Sequence, residues 1–387
     1  MSSAVLEKET AAQRSQPQAP PPDLCRVLHV VLSLRAGGTE RLVVALVERL
    51  GPSFPVAICC LEEAGPWGEE LRRAGVPVSE LHRADGFRPA LGYHIAAAAR
   101  THRADVIHCH HYSPFVYGAI SRLFYHRARL IFTEHGRLTD DPPSSKRRWA
   151  NAVLAHAADA VFAVSEDLQR HLAREGFSSR AVRVLHNGIE PGPRPDAHAR
   201  LTARRRLAVA EDRCVIMSVA RVDPVKDLTT LIRAFARVHT ARPHVSLVIV
   251  GEGPERAALE HAIAEEGVSG AVTLTGHRSD VRELMAAADI YVNSSIFEGV
   301  SLTLLEAMAA GLPVVATGVG ATPEVVSAET GVLVAPRDPE RLAGALIALV
   351  DAPDRRKKLG ANGRARLEQD FSIERIVQEY ASAYRGR

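Results

Sequence analysis

From residue 26 onward, short apolar runs rich in β-branched residues alternate with longer amphipathic segments, and this alternation restricts the chain to few architectures. Residues 27–32 precede an amphipathic stretch at 40–50, and residues 55–60 precede another at 67–74. Further apolar runs follow at 106–109, 130–133, 160–164 and 182–185. Strands separated by helix-length segments pair in parallel, because each intervening segment can cross back over the sheet. The pattern therefore predicts an α/β domain built from βαβ units.

The alternation stops at Asn187-Gly188-Ile189-Glu190-Pro191-Gly192-Pro193-Arg194-Pro195, where glycine and proline are too dense for either element. It resumes with apolar runs at 214–219, 245–250, 272–274, 289–293 and 314–317, and helical patterns at 338–350, 355–369 and 373–385 close the chain. At 387 residues the chain exceeds what a single core usually supports. We expect a disordered lead-in at 1–23, one Rossmann-like domain at 24–190, a linker at 191–211 and a second Rossmann-like domain at 212–370. A last helix at 371–387 is free to pack on either domain or to cross back to the first.

Charge and cysteine content narrow the function classes. A formal net charge of +3 gives no case for nucleic-acid binding. Cations cluster at Arg122, Arg127, Arg129, Lys146, Arg147 and Arg148, a stretch that reads either as solvated helix ends or as a contact for an anionic membrane beside Trp149. The five cysteines are odd in number and show no Cys-x-x-Cys spacing, which suits a reducing compartment. Residues 1–22 lack the apolar segment of a signal peptide, and no run reaches membrane-spanning length. A cytoplasmic protein, with peripheral contact at the inner face of the plasma membrane as an option, is the expectation.

Several motifs fall where apolar runs end. Glu298 and Glu306 stand eight residues apart across a loop-to-helix junction, with Gly311 and Pro313 ending the helix. In open α/β sheets, ligands bind at that edge. Arg221 and Lys226 follow the first run of the second domain and suit a diphosphate, or simply an exposed charged loop. Gly37-Gly38-Thr39 permits either phosphate approach to a helix start or a tight turn capped by Thr39. Gly251-Glu252-Gly253-Pro254 is most simply explained by close backbone packing. His135 ends another first-domain run and is either structural or functional. His108-Cys109-His110-His111 invites a zinc reading, which we discount because adjacent strand residues face opposite ways and no further ligand cluster completes a tetrahedral set.

Taken in order, these motifs resemble the retaining glycosyltransferases of family 4, which have the GT-B fold of two Rossmann-like domains facing each other across a donor-binding cleft. The resemblance runs from Arg26 onward and is most specific at Glu298-x7-Glu306, with Asn187-Gly188-Ile189 and the motifs at 37–38, 221–226 and 251–254 in matching places. It implies a nucleotide-sugar donor and a glycan, glycolipid or lipid-linked acceptor, in bacterial surface-polysaccharide assembly, with no cofactor or metal. It further implies that Arg221 and Lys226 hold the diphosphate, that Glu306 accepts from the ribose hydroxyls and that Glu298 faces the donor sugar. Backbone near Val300, Ser301 and Leu302 would add phosphate contacts, Gly276, His277 and Arg278 would border the base, and Gly37 and Gly38 would approach from the other domain. His135 matches the first-domain histidine that contacts the donor sugar, with Glu134 either orienting it or facing away. A GT-B-like sugar-nucleotide epimerase and a noncatalytic sugar-nucleotide-binding subunit are the alternatives, and tandem dehydrogenase domains are disfavoured by the missing G-x-G-x-x-G.

Overall fold

The computed structural model describes residues 24–35, 37–51, 53–136 and 143–386; the lead-in expected at 1–23 lies outside them. The first sheet contains β1 (Val27–Val31), β2 (Val56–Cys60), β3 (Val78–Glu80), β4 (Val106–His110), β5 (Arg129–Glu134), β6 (Ala160–Ala163) and β7 (Val182–Val184). Its order is β3-β2-β1-β4-β5-β6-β7, and every pairing is parallel. The second sheet contains β8 (Cys214–Val219), β9 (Val245–Val250), β10 (Val272–Leu274), β11 (Ile290–Asn293), β12 (Val314–Thr317) and β13 (Gly331–Val334), in the order β10-β9-β8-β11-β12-β13. It too is parallel throughout. The chain is thus an α/β protein with two doubly wound sheets, as the alternation predicts.

Helices cover both faces of the first sheet, which is why all five residues of β1, β2 and β4 are buried. One face packs Leu91, Ile95, Phe115 and Leu168, and the other packs Val43, Val47 and Leu50 from the helix Gly38–Leu50. The edge strands β3 and β13 have no counterpart in the sequence reading. β3 is a three-residue Val-Ser-Glu without an apolar run, and of β13 only Gly331 is buried. Part of the segment expected as linker forms a helix, Ala197–Arg206, whose Asp196 side chain caps its start.

Each sheet reverses its winding direction beside its first strand, between β1 and β4 and between β8 and β11. Strand ends diverge there, leaving a crevice at the carboxyl edge. The two crevices are joined by paired crossings of the chain. Ile189 bridges Ser372 in parallel, and its N–H donates to Phe371 O at 3.0 Å while Ile373 N–H donates to Ile189 O at 3.0 Å. Gly188 makes this crossing possible, since a Cβ there would lie 2.9 Å from the carbonyl oxygens of both Phe371 and Ser372. Beyond it the last helix, Ile373–Tyr384, returns to the first sheet and buries Ile376, Tyr380 and Tyr384 in that core. A second tie joins the domains where the Glu324 carboxylate accepts from the Glu166 and Asp167 amides, at 2.8 and 3.0 Å, and meets His186 Nε2 at 3.0 Å.

Candidate functional site

The second crevice is built on Glu298. β11 ends in Asn293, and the polar run that follows turns back on itself. Asn293 Nδ2 donates to Glu298 Oε1 at 3.0 Å, Ser295 Oγ donates to the same oxygen at 2.7 Å, and Lys226 Nζ reaches it at 2.6 Å. Glu298 is only 7% exposed, so this convergence supplies what burial of a carboxylate demands. Lys226 arrives from the loop after β8, where Ser294 Oγ donates to Lys226 O at 2.8 Å and Ile296 N–H donates to Val225 O at 2.9 Å. The sequence reading named Glu298 and Lys226 but missed Asn293 and Ser295. The clue was a polar Asn-Ser-Ser directly after an apolar strand.

Glycines bring these loops together. A Cβ on Gly251 would lie 1.8 Å from Ala220 O, and one on Gly253 would lie 2.2 Å from Val222 O, so this pair seats the loop that carries Arg221. Gly320, at φ +52°, has the same relation to Glu298: a Cβ there would lie 1.8 Å from Glu298 O. Arg221 itself remains 75% exposed and pairs with Asp223 Oδ2 at 2.6 Å. The structure therefore joins Lys226 to Glu298 and leaves Arg221 at the rim.

Val300 is buried, and Ser301 takes the capping position of the helix Leu302–Ala309 without a side-chain cap, its hydroxyl meeting Thr303 Oγ1 at 3.2 Å. Glu306, one turn in, pairs with Arg282 Nε at 3.3 Å. Burial raises the Glu306 pKa, against the opposing charges of Arg282 and of Arg41 from the other domain. Glu306, Arg282 and Arg206 line a cavity of about 520 Å³. Arg206 also borders the open hollow formed with His277, Arg278 and Asp280, which places the loop after β10 beside this cavity. In that loop Gly276 adopts φ +72°, and Arg278 grips Asp280 through two bonds of 2.8 and 2.6 Å.

The first domain faces this site with the ends of β1, β4 and β5. Gly37 caps the helix Gly38–Leu50 in an extended conformation with no side-chain cap, so the turn expected to be capped by Thr39 is capped otherwise. The Glu40 carboxylate occupies the space a Gly37 side chain would need. Across the cleft, Gly299 abuts the His135 carbonyl oxygen, 3.6 Å from where its Cβ would stand. Glu134 does not orient the His135 ring. Its Oε1 accepts from the His135 amide at 3.0 Å and contacts His111 Nδ1 at 2.9 Å.

The His135 ring instead meets a second buried histidine, His110, whose Nδ1 lies 3.0 Å from His135 Nε2. His110 Nε2 lies 3.0 Å from His29 Nδ1 on the neighbouring strand. His108 spans Tyr384 OH at 2.7 Å and Thr133 Oγ1 at 2.8 Å. Burial holds His29 down to about 3 and pushes His108, His110 and His135 well below the ordinary histidine range. Strand alternation turns Cys109 away, but it puts His108 and His110, at i and i+2, on one face of β4 beside His29 of the neighbouring β1. Among the described residues these three are the group whose ligand atoms, all within 4.8 Å of one another, could gather a metal. Their nitrogens already meet one another, His135, Tyr384 and Thr133, and His29 Nε2 alone among them has no partner.

The basic stretch is less free than its sequence suggests. Arg122 pairs with Asp159 at 2.6 Å, Arg147 pairs with buried Glu175 at 2.8 Å, and Arg129 donates to Ala383 O at 2.6 Å. Arg127, Lys146 and Arg148 remain exposed.

Comparison with known proteins gives this geometry relatives. The profile described as "Glycosyl transferases group 1" matches residues 199–366, and that described as "Glycosyltransferase Family 4" matches residues 36–192. The chain is 30% identical over 319 residues to alpha-maltose-1-phosphate synthase of Mycolicibacterium smegmatis, covering 73% of this chain and 79% of that protein. It is 36% identical over 261 residues to the GDP-mannose-dependent monoacylated alpha-(1-6)-phosphatidylinositol monomannoside mannosyltransferase of Corynebacterium glutamicum, covering 64% and 67%. Among solved structures it resembles a Rickettsia africae glycosyltransferase, with TM-score 0.83, 19% identity and coverage of 94% and 98%. It also resembles Anabaena HepE in complex with UDP, with TM-score 0.82, 23% identity and coverage of 94% and 100%.

Proposed function

Because the chain belongs to glycosyltransferase family 4, we propose that it moves a hexosyl group from a nucleotide-sugar donor to a glycan, glycolipid or lipid-linked acceptor, with retention of anomeric configuration. The observation that carries this reading is the pairing of half-buried Lys226 with buried Glu298, at 2.6 Å, set at a helix start where Gly299 meets His135 of the opposing domain. Cleavage of the sugar-phosphate bond leaves negative charge on a diphosphate. Lys226, rim-exposed Arg221 and the amides around Val300, Ser301 and Leu302 are preorganised to stabilise that charge as it develops. Glu306 receives the ribose hydroxyls, exchanging part of its bond to Arg282, and the hollow beside Gly276, His277 and Arg278 receives the base. Gly37 and Gly38 close over the donor as the domains approach. Retention follows if the acceptor attacks on the face the leaving phosphate vacates. The charge stabilisation uses side chains and amides, so the reading assigns no role to a metal, and rates unchanged by a chelator are its consequence.

The setting we propose is bacterial cell-surface polysaccharide or glycolipid synthesis, at a membrane face. Six large hydrophobics on helices and adjoining loops of the first domain are exposed: Phe87, Tyr93, Leu123, Phe124, Trp149 and Val153. Exposed Arg127, Lys146 and Arg148 accompany them, a composition suited to an anionic interface. Among the described residues no helix is long and apolar enough to cross a membrane.

Thermal stabilisation by a panel of nucleoside diphosphates and sugar nucleotides tests the donor site. A ligand at about 100 times its Kd adds ~2.7 kcal/mol. Stabilisation by one base series that disappears in Glu306→Ala supports the assignment, and no response from the folded protein refutes it. Donor consumed without any acceptor would point to an epimerase instead. Activity retained by Glu298→Ala would remove Glu298 from the mechanism.

A further inference from the structure

The row His29, His110, His135 poses a proton-counting problem with one solution. Consecutive rings are joined at 3.0 Å, and all three are buried. A neutral imidazole carries one N–H and one bare nitrogen. Three neutral rings joined by two bonds use two of their three protons between them, so the third must sit at one end of the row. The ends are His29 Nε2 and His135 Nδ1, and both are buried without a hydrogen-bond partner.

The two ends are not equivalent. Asn187 lies beside His135, close enough for its side chain to favour a proton on that ring, and its Oδ1 is likewise buried with no partner. The outer end therefore has a polar side chain beside it, whose amide can be turned to accept from a proton on Nδ1. At the inner end, an N–H on His29 Nε2 would be a buried donor with no acceptor, which is costlier than a bare nitrogen there. With the terminal proton outward, His29 Nδ1–H donates to His110 Nε2 and His110 Nδ1–H donates to His135 Nε2.

We propose that His110 and His29 are positioning residues that hold His135 as its Nδ1–H tautomer, so that it offers the cleft a hydrogen-bond donor instead of a proton acceptor. The tautomer itself stands independently of the proposed reaction; only the identity of what the N–H meets, Asn187 or a hydroxyl of the bound sugar, rests on that reading. His135 then takes no proton from an acceptor. His108, although in the same layer, is tied to Tyr384 and to Thr133, which in turn meets Tyr380 at 3.2 Å, and so anchors the row to the last helix.

The test is long-range ¹H–¹⁵N correlation on the full chain with ¹⁵N-labelled histidine, with His135 assigned from the spectrum of His135→Gln. The expected result is a protonated Nδ1 and a bare Nε2 on His135, unchanged on acidification for as long as the chain stays folded. A protonated Nε2 on His135, or a ring that titrates near the ordinary histidine pKa while the chain is still folded, overturns the proposal whatever the donor screen finds. Kinetics supply the second arm. His110→Leu should lower kcat about tenfold with little change in KM, and His110→Gln, whose amide can donate to Nε2, should recover most of it. Equal loss in both variants, with both folded, rejects the positioning role.

Discussion

Four neutral histidines inside the first sheet should make the protein unusually sensitive to mild acid. In the folded state His29 is held down to about 3, and His108, His110 and His135 lie well below the ordinary range, each chiefly through burial. Unfolding restores values near ~6.5. The unfolded chain then binds more protons than the folded one wherever the pH lies below ~6.5, so stability is complete above that value and falls as the pH drops toward the folded values. At pH ~5.5 an unfolded histidine is about 90% protonated, which costs the folded state ~1.4 kcal/mol per group and ~5 to 6 kcal/mol for four. That is comparable to the whole stability of many domains. Urea unfolding between pH ~7.5 and ~5.5 measures it directly, and its slope should correspond to uptake of about 3.6 protons near the lower limit. An uptake of one proton or fewer would mean that the rings are charged or solvated in the folded protein, and the buried row would be wrong.

Substitutions elsewhere probe the second crevice and its coupling to the first. Gly320→Ala must move the Glu298 backbone to relieve a 1.8 Å approach, and adds a left-handed backbone cost; we expect ~2–5 kcal/mol of destabilisation and ~10²-fold slower transfer. Gly344→Ala, on an exposed helix interior with open space around its Cβ, serves as the control and should not destabilise. Lys226→Met should slow transfer ~10²-fold or more while the fold survives, since Asn293 and Ser295 still hold Glu298; an unimpaired rate removes Lys226 from charge stabilisation. Because burial raises the Glu306 pKa, donor affinity measured by calorimetry should fall with acidification at a pH above the usual glutamate range, and Glu306→Gln should flatten that profile. Glu324→Ala deletes the contact to the Glu166 and Asp167 amides and to His186, so small-angle scattering should detect a wider separation of the domains; an unchanged profile means the chain crossings alone hold them.

The residues around Glu298 show how far local sequence reaches. The alternation of apolar runs determines two parallel sheets, because a strand covered on both faces by its crossover helices must be apolar throughout, and the loops at strand ends are short enough that Glu298, Glu306, Arg221 and Lys226 are placed to within a turn. Which of them meet is another matter. Lys226 finds Glu298 across 72 residues, Arg221 stays at the rim beside Asp223, and Gly320 fits under Glu298. These outcomes depend on how adjacent strands converge at the crevice, which no single segment encodes. The histidines make the same point more sharply. Residue by residue they read as a lone His135 and an unpromising His-Cys-His-His, because strand periodicity says which face a side chain takes but not which strand lies next to it. Only the order β1-β4-β5 sets His29, His110 and His135 in a row, and only the return of the last helix supplies Tyr384 to His108.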